Sequence, residues 1–154
     1  MSCIRKAIPS DAGRLSEIEV FDYRLHFYPL FRTDAYFFSE LNVPALMQEY
    51  RDMPELIERT FVYDDGVVKG FIRVNGAVIE KLFVETAFQG KGIGSALLNY
   101  AILHTEARWL LVLEKNERAI RLYERYGFHV TENRQRVDDT KEFLVRMERP
   151  KPQK

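Results

Sequence analysis

The chain has 154 residues, 46% of them apolar and 30% charged, and its 23 basic side chains are matched by 23 acidic ones. This length suits a single domain with a proper core, and the balanced charge gives no general attraction to nucleic acid or to an anionic membrane. The lone cysteine, Cys3, excludes an internal disulfide framework and a cysteine-based zinc site and suits a reducing cytosol.

Ile4 to Ala7 reads as a short opening strand. Ser10 or Asp11 is placed to cap a helix whose apolar positions Leu15, Ile18 and Leu25 keep helical spacing, until Pro29 breaks the pattern. Residues 33 to 59 read as one or two further helices, with Pro44 and Pro54 near helix starts. Aromatics crowd this first third: Phe21, Tyr23, Phe27, Tyr28, Phe31, Tyr36, Phe37 and Phe38 either pack a helical core or line a cleft or dimer surface.

The period then changes. Thr60 to Tyr63, the turn Asp64-Asp65-Gly66, and Val67 to Val74 predict a β-hairpin. Asn75-Gly76 is the strongest short hairpin signal and leads into a strand over Ala77 to Val84. A glycine-rich turn and a helix ending near Thr105 follow. Trp109 to Leu113 is a continuous apolar run, the pattern of a strand buried on both faces. A helix over Glu117 to Tyr126 carries Ala119, Leu122, Tyr123 and Tyr126 on one face, with Gly127 as its cap. Phe128 to Val130 and Glu142 to Met147 predict a closing hairpin joined by the polar stretch Thr131 to Lys141. Residues 1–149 are expected to form one domain, and 150–154 a frayed tail. No apolar run approaches the ~20 residues of a bilayer span, and no secretory h-region follows the N-terminus, so the cytoplasm is the expected location.

The segment Gln89-Gly90-Lys91-Gly92-Ile93-Gly94-Ser95 is the most informative in the chain. It follows the apolar run Val78 to Val84 and precedes apolar positions at Ile93, Ala96, Leu97, Tyr100 and Ala101, one face of a helix. Strand, glycine turn and helix start together make an anion site, because the first helical turn presents unpaired N–H groups and the positive end of the dipole. The spacing fails the Walker A pattern, since Lys91 stands between the first two glycines, and it fits the dinucleotide fingerprint poorly.

Gln89-x-x-Gly92-x-Gly94 resembles the pyrophosphate-binding signature of the GNAT superfamily of N-acetyltransferases. Asn116-x-x-Ala119-x-x-Leu122-Tyr123-x-x-x-Gly127-Phe128 resembles the second signature of the same family, in the right order and separation. The element order β-α-α-β-β-β-α-β-α-β-β extends the resemblance over nearly the whole chain. It implies an α/β (α+β) GNAT fold with a mixed central sheet and acetyl-CoA as co-substrate. The pyrophosphate would lie over the N–H groups of Gly90, Lys91, Gly92, Ile93, Gly94 and Ser95, supplemented by the side chains of Gln89 and Lys91. The family splays its fourth and fifth strands apart, so backbone groups of Leu82, Phe83 and Val84 would pair with the pantetheine arm and polarise the thioester carbonyl.

The resemblance gives Tyr123 the role of general acid toward the departing thiolate, and Asn116 a hydrogen bond to the pantetheine arm, the strand-to-helix cap being its simpler role. Glu80 is the candidate general base, as a charged residue inside an apolar strand needs a function or a partner; the alternatives are an ion pair with Lys81's neighbours or with Arg73 across the hairpin, a base acting through water, or no base at all. His26, His104 and His129 share no metal-ligand spacing, and no metal is expected. The implied activity is acetyl transfer from acetyl-CoA to a primary amine by direct attack in a ternary complex. A non-catalytic acyl-CoA sensor and a protein acetyltransferase are the alternatives, and a homodimer is possible. The acceptor is not legible: Glu40, Glu49, Asp52 and Glu55 either attract a cationic amine or form a solvated helix face.

Overall fold

The computed structural model describes residues 2–150, so the expected tail lies outside the described residues except for Pro150. Seven strands form one mixed sheet, as the resemblance implied, and their order in it is β1-β2-β3-β4-β5-β7-β6. The strands are β1 (Ile4–Lys6), β2 (Thr60–Asp64), β3 (Val68–Asn75), β4 (Val78–Val84), β5 (Trp109–Leu113), β6 (His129–Arg136) and β7 (Phe143–Glu148). The helices are α1 (Ala12–His26), α2 (Tyr28–Phe31), α3 (Val43–Asp52), α4 (Glu55–Glu58), α5 (Ile93–His104) and α6 (Glu117–Arg125). The chain divides into two compact units, one of Met1–Arg73 with Lys81–Leu97 and one of Val74–Glu80 with Leu98–Lys154.

In the first unit, β1 and β2 pair antiparallel, with Ile4 opposite Tyr63, and β2 pairs antiparallel with β3, with Val62 opposite Phe71. Leu15 and Ile18 of α1, Tyr50 of α3, Leu56 and Ile57 of α4 and Val62, Val68 and Phe71 of the strands make its core. Each large apolar side chain buried there contributes about 1.5–3 kcal/mol. Leu25, expected on the same stripe, is 54% exposed, and Asp22 takes the inward position at 3%. At about 100° per residue, Leu25 has drifted some 80° around the helix from Leu15, whereas Asp22 lies only about 20° away.

Asp11 ends a short 3₁₀ turn and stands at the N-cap of α1, but its side chain makes no cap bond there. The carboxylate instead accepts from Ile8 N–H at 2.8 Å and from both terminal nitrogens of Arg5 at 2.9 and 3.0 Å. Residues 33 to 59 form three pieces rather than one or two: a π-helical turn at Tyr36–Glu40, then α3 and α4. Asn42 separates the first two by capping α3, accepting from Ala45 N–H at 2.9 Å. The aromatic cluster divides. Phe37 is buried with Val20 and Leu41 against Tyr23, Phe27, Tyr28 and Phe31, while Phe21, Tyr36 and Phe38 are exposed. Glu40, Glu49 and Asp52 are exposed too.

In the second unit, β4 and β5 run parallel and register at Val78 with Trp109 and Ile79 with Leu110, which uses only the start of β4. Antiparallel pairing joins β5 to β7 and β7 to β6. Two strand expectations change. Leu111 is 41% exposed, so β5 is not buried on both faces. And β6 runs to Arg136, through a stretch read as polar connection. No apolar alternation marks it, because side-chain pairing to its neighbours holds it: Arg134 lies 3.4 Å over the Phe143 ring and bonds Glu114 at 2.7 and 3.0 Å. No helix among the described residues is long and apolar enough to cross a membrane.

Candidate functional site

In the first unit, β4 runs directly into the glycine turn. A Cβ added at Gly70 of β3 would stand 2.8 Å from Phe83 O and 3.3 Å from side-chain carbons of Ile93 and Leu97, so the start of α5 lies down on β3 and β4 where no side chain intervenes. After Val84, Glu85 N–H donates to Lys69 O at 2.9 Å, and Thr86–Phe88 makes one 3₁₀ turn. Gln89 folds back, its Nε2 donating to Val84 O at 3.1 Å. That bond braces the turn against the strand it leaves.

Gly90 and Gly92 then take φ of +79° and +82°. A side chain in this left-handed region costs about 1–2 kcal/mol, which glycine avoids. A Cβ built on either meets no heavy atom within 4 Å, so the outer surface of the turn is open. Ala96 N–H donates to Gly92 O at 3.0 Å, the first bond of α5. The N–H groups of Ile93, Gly94 and Ser95 therefore have no acceptor inside the helix and carry the positive end of its dipole. Lys91 is exposed, with its ammonium 5.8 Å from the centre of the Phe88 ring. A turn of this kind can receive an anion.

A polar seam joins α1 to the same segment. Glu19, buried, pairs with Lys81 of β4 at 2.8 Å. One helical turn on, Thr86 Oγ1 donates to Asp22 Oδ1 at 3.1 Å. A further turn on, His26 Nε2 stands 3.5 Å from Gln89 Nε2. Burial pushes the Asp22 carboxyl up to about 7, with Glu85 adding to the rise and the Thr86 hydroxyl and Arg14 opposing it. A cleft of about 310 Å³ lies alongside, lined by Phe21, Arg24, Leu25, Glu85 and Thr86.

The other residues expected at a site lie in the second unit. Asn116 Oδ1 accepts from Ala119 N–H at 3.2 Å, which makes it the N-cap of α6. Tyr123 is buried on α6, its ring edge-on to Phe128 with centres 5.9 Å apart. Burial raises its hydroxyl well above the ordinary tyrosine value, so the group holds its proton. Glu80 is exposed on β4, and Arg73, its suggested ion-pair partner, instead donates to Tyr50 Oη and to Thr60 Oγ1. Among the described residues no three His, Cys, Asp or Glu are grouped to hold a metal.

Residues 57–130 match the family model for the acetyltransferase (GNAT) domain. The peptidyl-lysine N-acetyltransferase YjaB of Escherichia coli is 31% identical over 103 residues, covering 61% of this chain and 69% of that protein. The chain belongs to the GNAT acetyltransferase family. YjaB of Salmonella typhimurium is 32% identical over 87 residues, 56% of this GNAT chain and 59% of that protein. The spermine/spermidine N(1)-acetyltransferase of Bacillus subtilis is 38% identical over 61 residues, 35% and 40% of the two chains. The GNAT chain thus spans between two fifths and about two thirds of the lengths of these relatives. Among solved structures, the PaiA N-acetyltransferase of Thermoplasma acidophilum in complex with coenzyme A shares the fold, with a TM-score of 0.67 at 18% identity over 94% of this chain and 97% of that one.

The acidic seam on α1 escaped the sequence reading. Neither Glu19 nor Asp22 belongs to a motif. One signal was present: an aspartate seven residues after Leu15 and four after Ile18 interrupts an otherwise apolar face.

Proposed function

We propose that this chain is an acetyl-CoA-dependent N-acetyltransferase acting on a primary alkylamine, by direct attack of the amine in a ternary complex. The observation that carries this reading is the open turn with positive φ at Gly90 and Gly92 at the start of α5, in a chain of the GNAT family. The N–H groups from Gly90 to Ser95 would hold the pyrophosphate, aided by the charge on Lys91. Backbone groups of Leu82, Phe83 and Val84 would pair with the pantetheine arm, and Asn116 would combine its cap bond with a contact to the arm. Acetyl-CoA supplies an activated acyl group whose leaving atom is a thiolate.

Tyr123 is the proposed source of the thiolate's proton. Its proton is held tightly, and a free thiol ionises near 8.5, so transfer has to be concerted with the departure of sulfur. The acceptor class rests on the relatives. Peptidyl-lysine and spermine/spermidine N-acetyltransferases act on primary amines carried by alkyl chains, and both are similar to this chain.

The test is a thiol-release assay with acetyl-CoA and a panel of a lysine peptide, spermidine and spermine, alongside calorimetry of coenzyme A binding. Turnover on at least one amine is expected. Tight binding with no turnover on any amine supports an acyl-CoA sensor and overturns the enzymatic reading.

A further inference from the structure

The described structure buries four acidic side chains, Asp11, Glu19, Asp22 and Glu142. Three have a cation at hydrogen-bond distance: Asp11 has Arg5 at 2.9 Å, Glu19 has Lys81 at 2.8 Å and Glu142 has Lys115 at 2.9 Å. Asp22 has none. Its one hydrogen-bond partner among the described residues is the neutral hydroxyl of Thr86. A buried carboxylate without a cation is costly, and such groups concentrate where a protein does chemistry.

Thr86 is itself exposed and lines the cleft, and its hydroxyl is bonded to Asp22, so one residue touches both the buried acid and the cleft. The cleft's apolar walls are Phe21 and Leu25, half-exposed one turn apart on α1. Glu85 adds negative charge, its Oε2 buried with no hydrogen bond and its Oε1 3.6 Å from Arg14. Arg24, the one cation in the lining, is committed elsewhere. It donates to Phe37 O at 2.9 Å and to Leu41 O at 3.2 Å, and its guanidinium lies 5.1 Å from the Phe38 ring. Apolar walls beside the Glu85 carboxylate, with the Arg24 guanidinium drawn toward the Phe37 and Leu41 carbonyls, suit an alkyl chain ending in an ammonium.

We infer that Asp22, acting through the Thr86 hydroxyl, is the proton acceptor for the incoming ammonium, in place of Glu80. This deepens the acetyltransferase reading and rests on it. The ammonium gives one proton to Thr86 Oγ1 as Thr86 passes its own to Asp22 Oδ1, leaving a neutral amine and a neutral acid. This exchange removes two charges at once, one of them on a carboxylate that is itself buried. The hydroxyl, donor to the carboxylate before transfer, becomes acceptor from the acid after it. The freed nitrogen pair then forms the C–N bond as the C–S bond breaks. The departing thiolate takes its proton from Tyr123, the second nitrogen proton makes good that loss, and Asp22 later returns its own proton to water.

Other charged groups around Asp22 are accounted for. Glu85 opposes its ionisation and Arg14 favours it, while Glu19 is neutralised by Lys81 one turn before, and His26 stands against Gln89 one turn after. Placement and burial agree with a carboxyl raised to about 7, poised for base work near neutral pH.

The test compares Asp22→Asn, Thr86→Ala and the double variant. In wild type, kcat/KM should fall as pH drops through about 7, where Asp22 takes up its proton. Each single variant should lose that acid limb and about 100-fold in kcat/KM, the double variant should be no slower, and coenzyme A affinity should be unchanged. A limb that persists in Asp22→Asn with a loss under about threefold, while Glu80→Gln removes it, overturns the inference and leaves the acetyltransferase reading standing. A wild type inert toward every amine removes both. A readout independent of turnover is carboxyl-carbon NMR without cofactor. Asp22 should titrate near 7, absent from Asp22→Asn, and saturating spermidine should lower its midpoint. A midpoint near the ordinary 3.8 that ignores the amine overturns the inference even where the variants fold poorly.

Discussion

Replacing Asp22 by asparagine should make the protein more stable at alkaline pH even as it slows it. The fold moves this carboxyl from an ordinary value of 3.8 to about 7. Each tenfold change in proton affinity corresponds to 1.36 kcal/mol, so above pH 7 the folded state bears at most about 4 kcal/mol for keeping Asp22 ionised. The sign follows from proton counts. Between pH 4 and 7 the native chain binds a proton here that the unfolded chain has released, so stability from this group falls as pH rises and levels off above 7. At pH 5 the same arithmetic leaves about 2 kcal/mol and at pH 8 about 4, so wild type and variant should diverge by up to about 2 kcal/mol over that range. Local relaxation and water entry should roughly halve this. Asparagine has nearly the same shape, and its Oδ1 keeps the Thr86 bond. Urea denaturation of both proteins at pH 5, 6, 7 and 8 measures the divergence. A stability difference that stays flat across these pH values refutes the account of Asp22 as an uncompensated buried acid.

Tyr123→Phe should lower kcat by about 10- to 1,000-fold with coenzyme A affinity intact, and an unchanged kcat removes the general-acid role. Gly92→Ala forces a side chain into the left-handed region and into the anion's place. It should cost about 1 kcal/mol in urea denaturation and raise the Kd for coenzyme A about tenfold by calorimetry. Lys81→Met strands Glu19 as a buried carboxylate and should destabilise the protein by about 3 kcal/mol, with Glu19→Gln in the same chain recovering most of the loss. If the double variant is no more stable than Lys81→Met alone, the ion pair does not explain the position of Glu19.

The elements legible in the sequence are those built by short-range rules. Asn75-Gly76 forms a hairpin whatever packs on it, and the glycine turn needs only local backbone chemistry to open α5. The elements that changed are set by distant partners. β6 exists because Phe143 and Glu114 receive Arg134, which no window around residue 134 reveals. Asp11 turned from cap to clamp because Arg5 lies beside it. At the site, the cofactor side was readable because glycine spacing and the Asn116 to Phe128 segment are contiguous motifs. The acid on α1 was not, because its meaning depends on which cation is missing, and a missing partner leaves no trace in sequence.

The two borders of the sheet bear on how the protein behaves when crowded. β1 is only three residues long and carries Arg5 and Lys6. β6 is longer, but its outward run Glu132-Asn133-Arg134-Gln135-Arg136 is polar throughout, and its register with β7 shifts between Val130 and Arg134. Unpaired strand borders invite other chains to add on, and shortness, charge and bulges are the features that discourage it. A polypeptide searching for a template finds one border too brief to grip and the other hydrated and out of step. Polarity of this kind, invisible as a strand signal, keeps a seven-stranded sheet from seeding fibres.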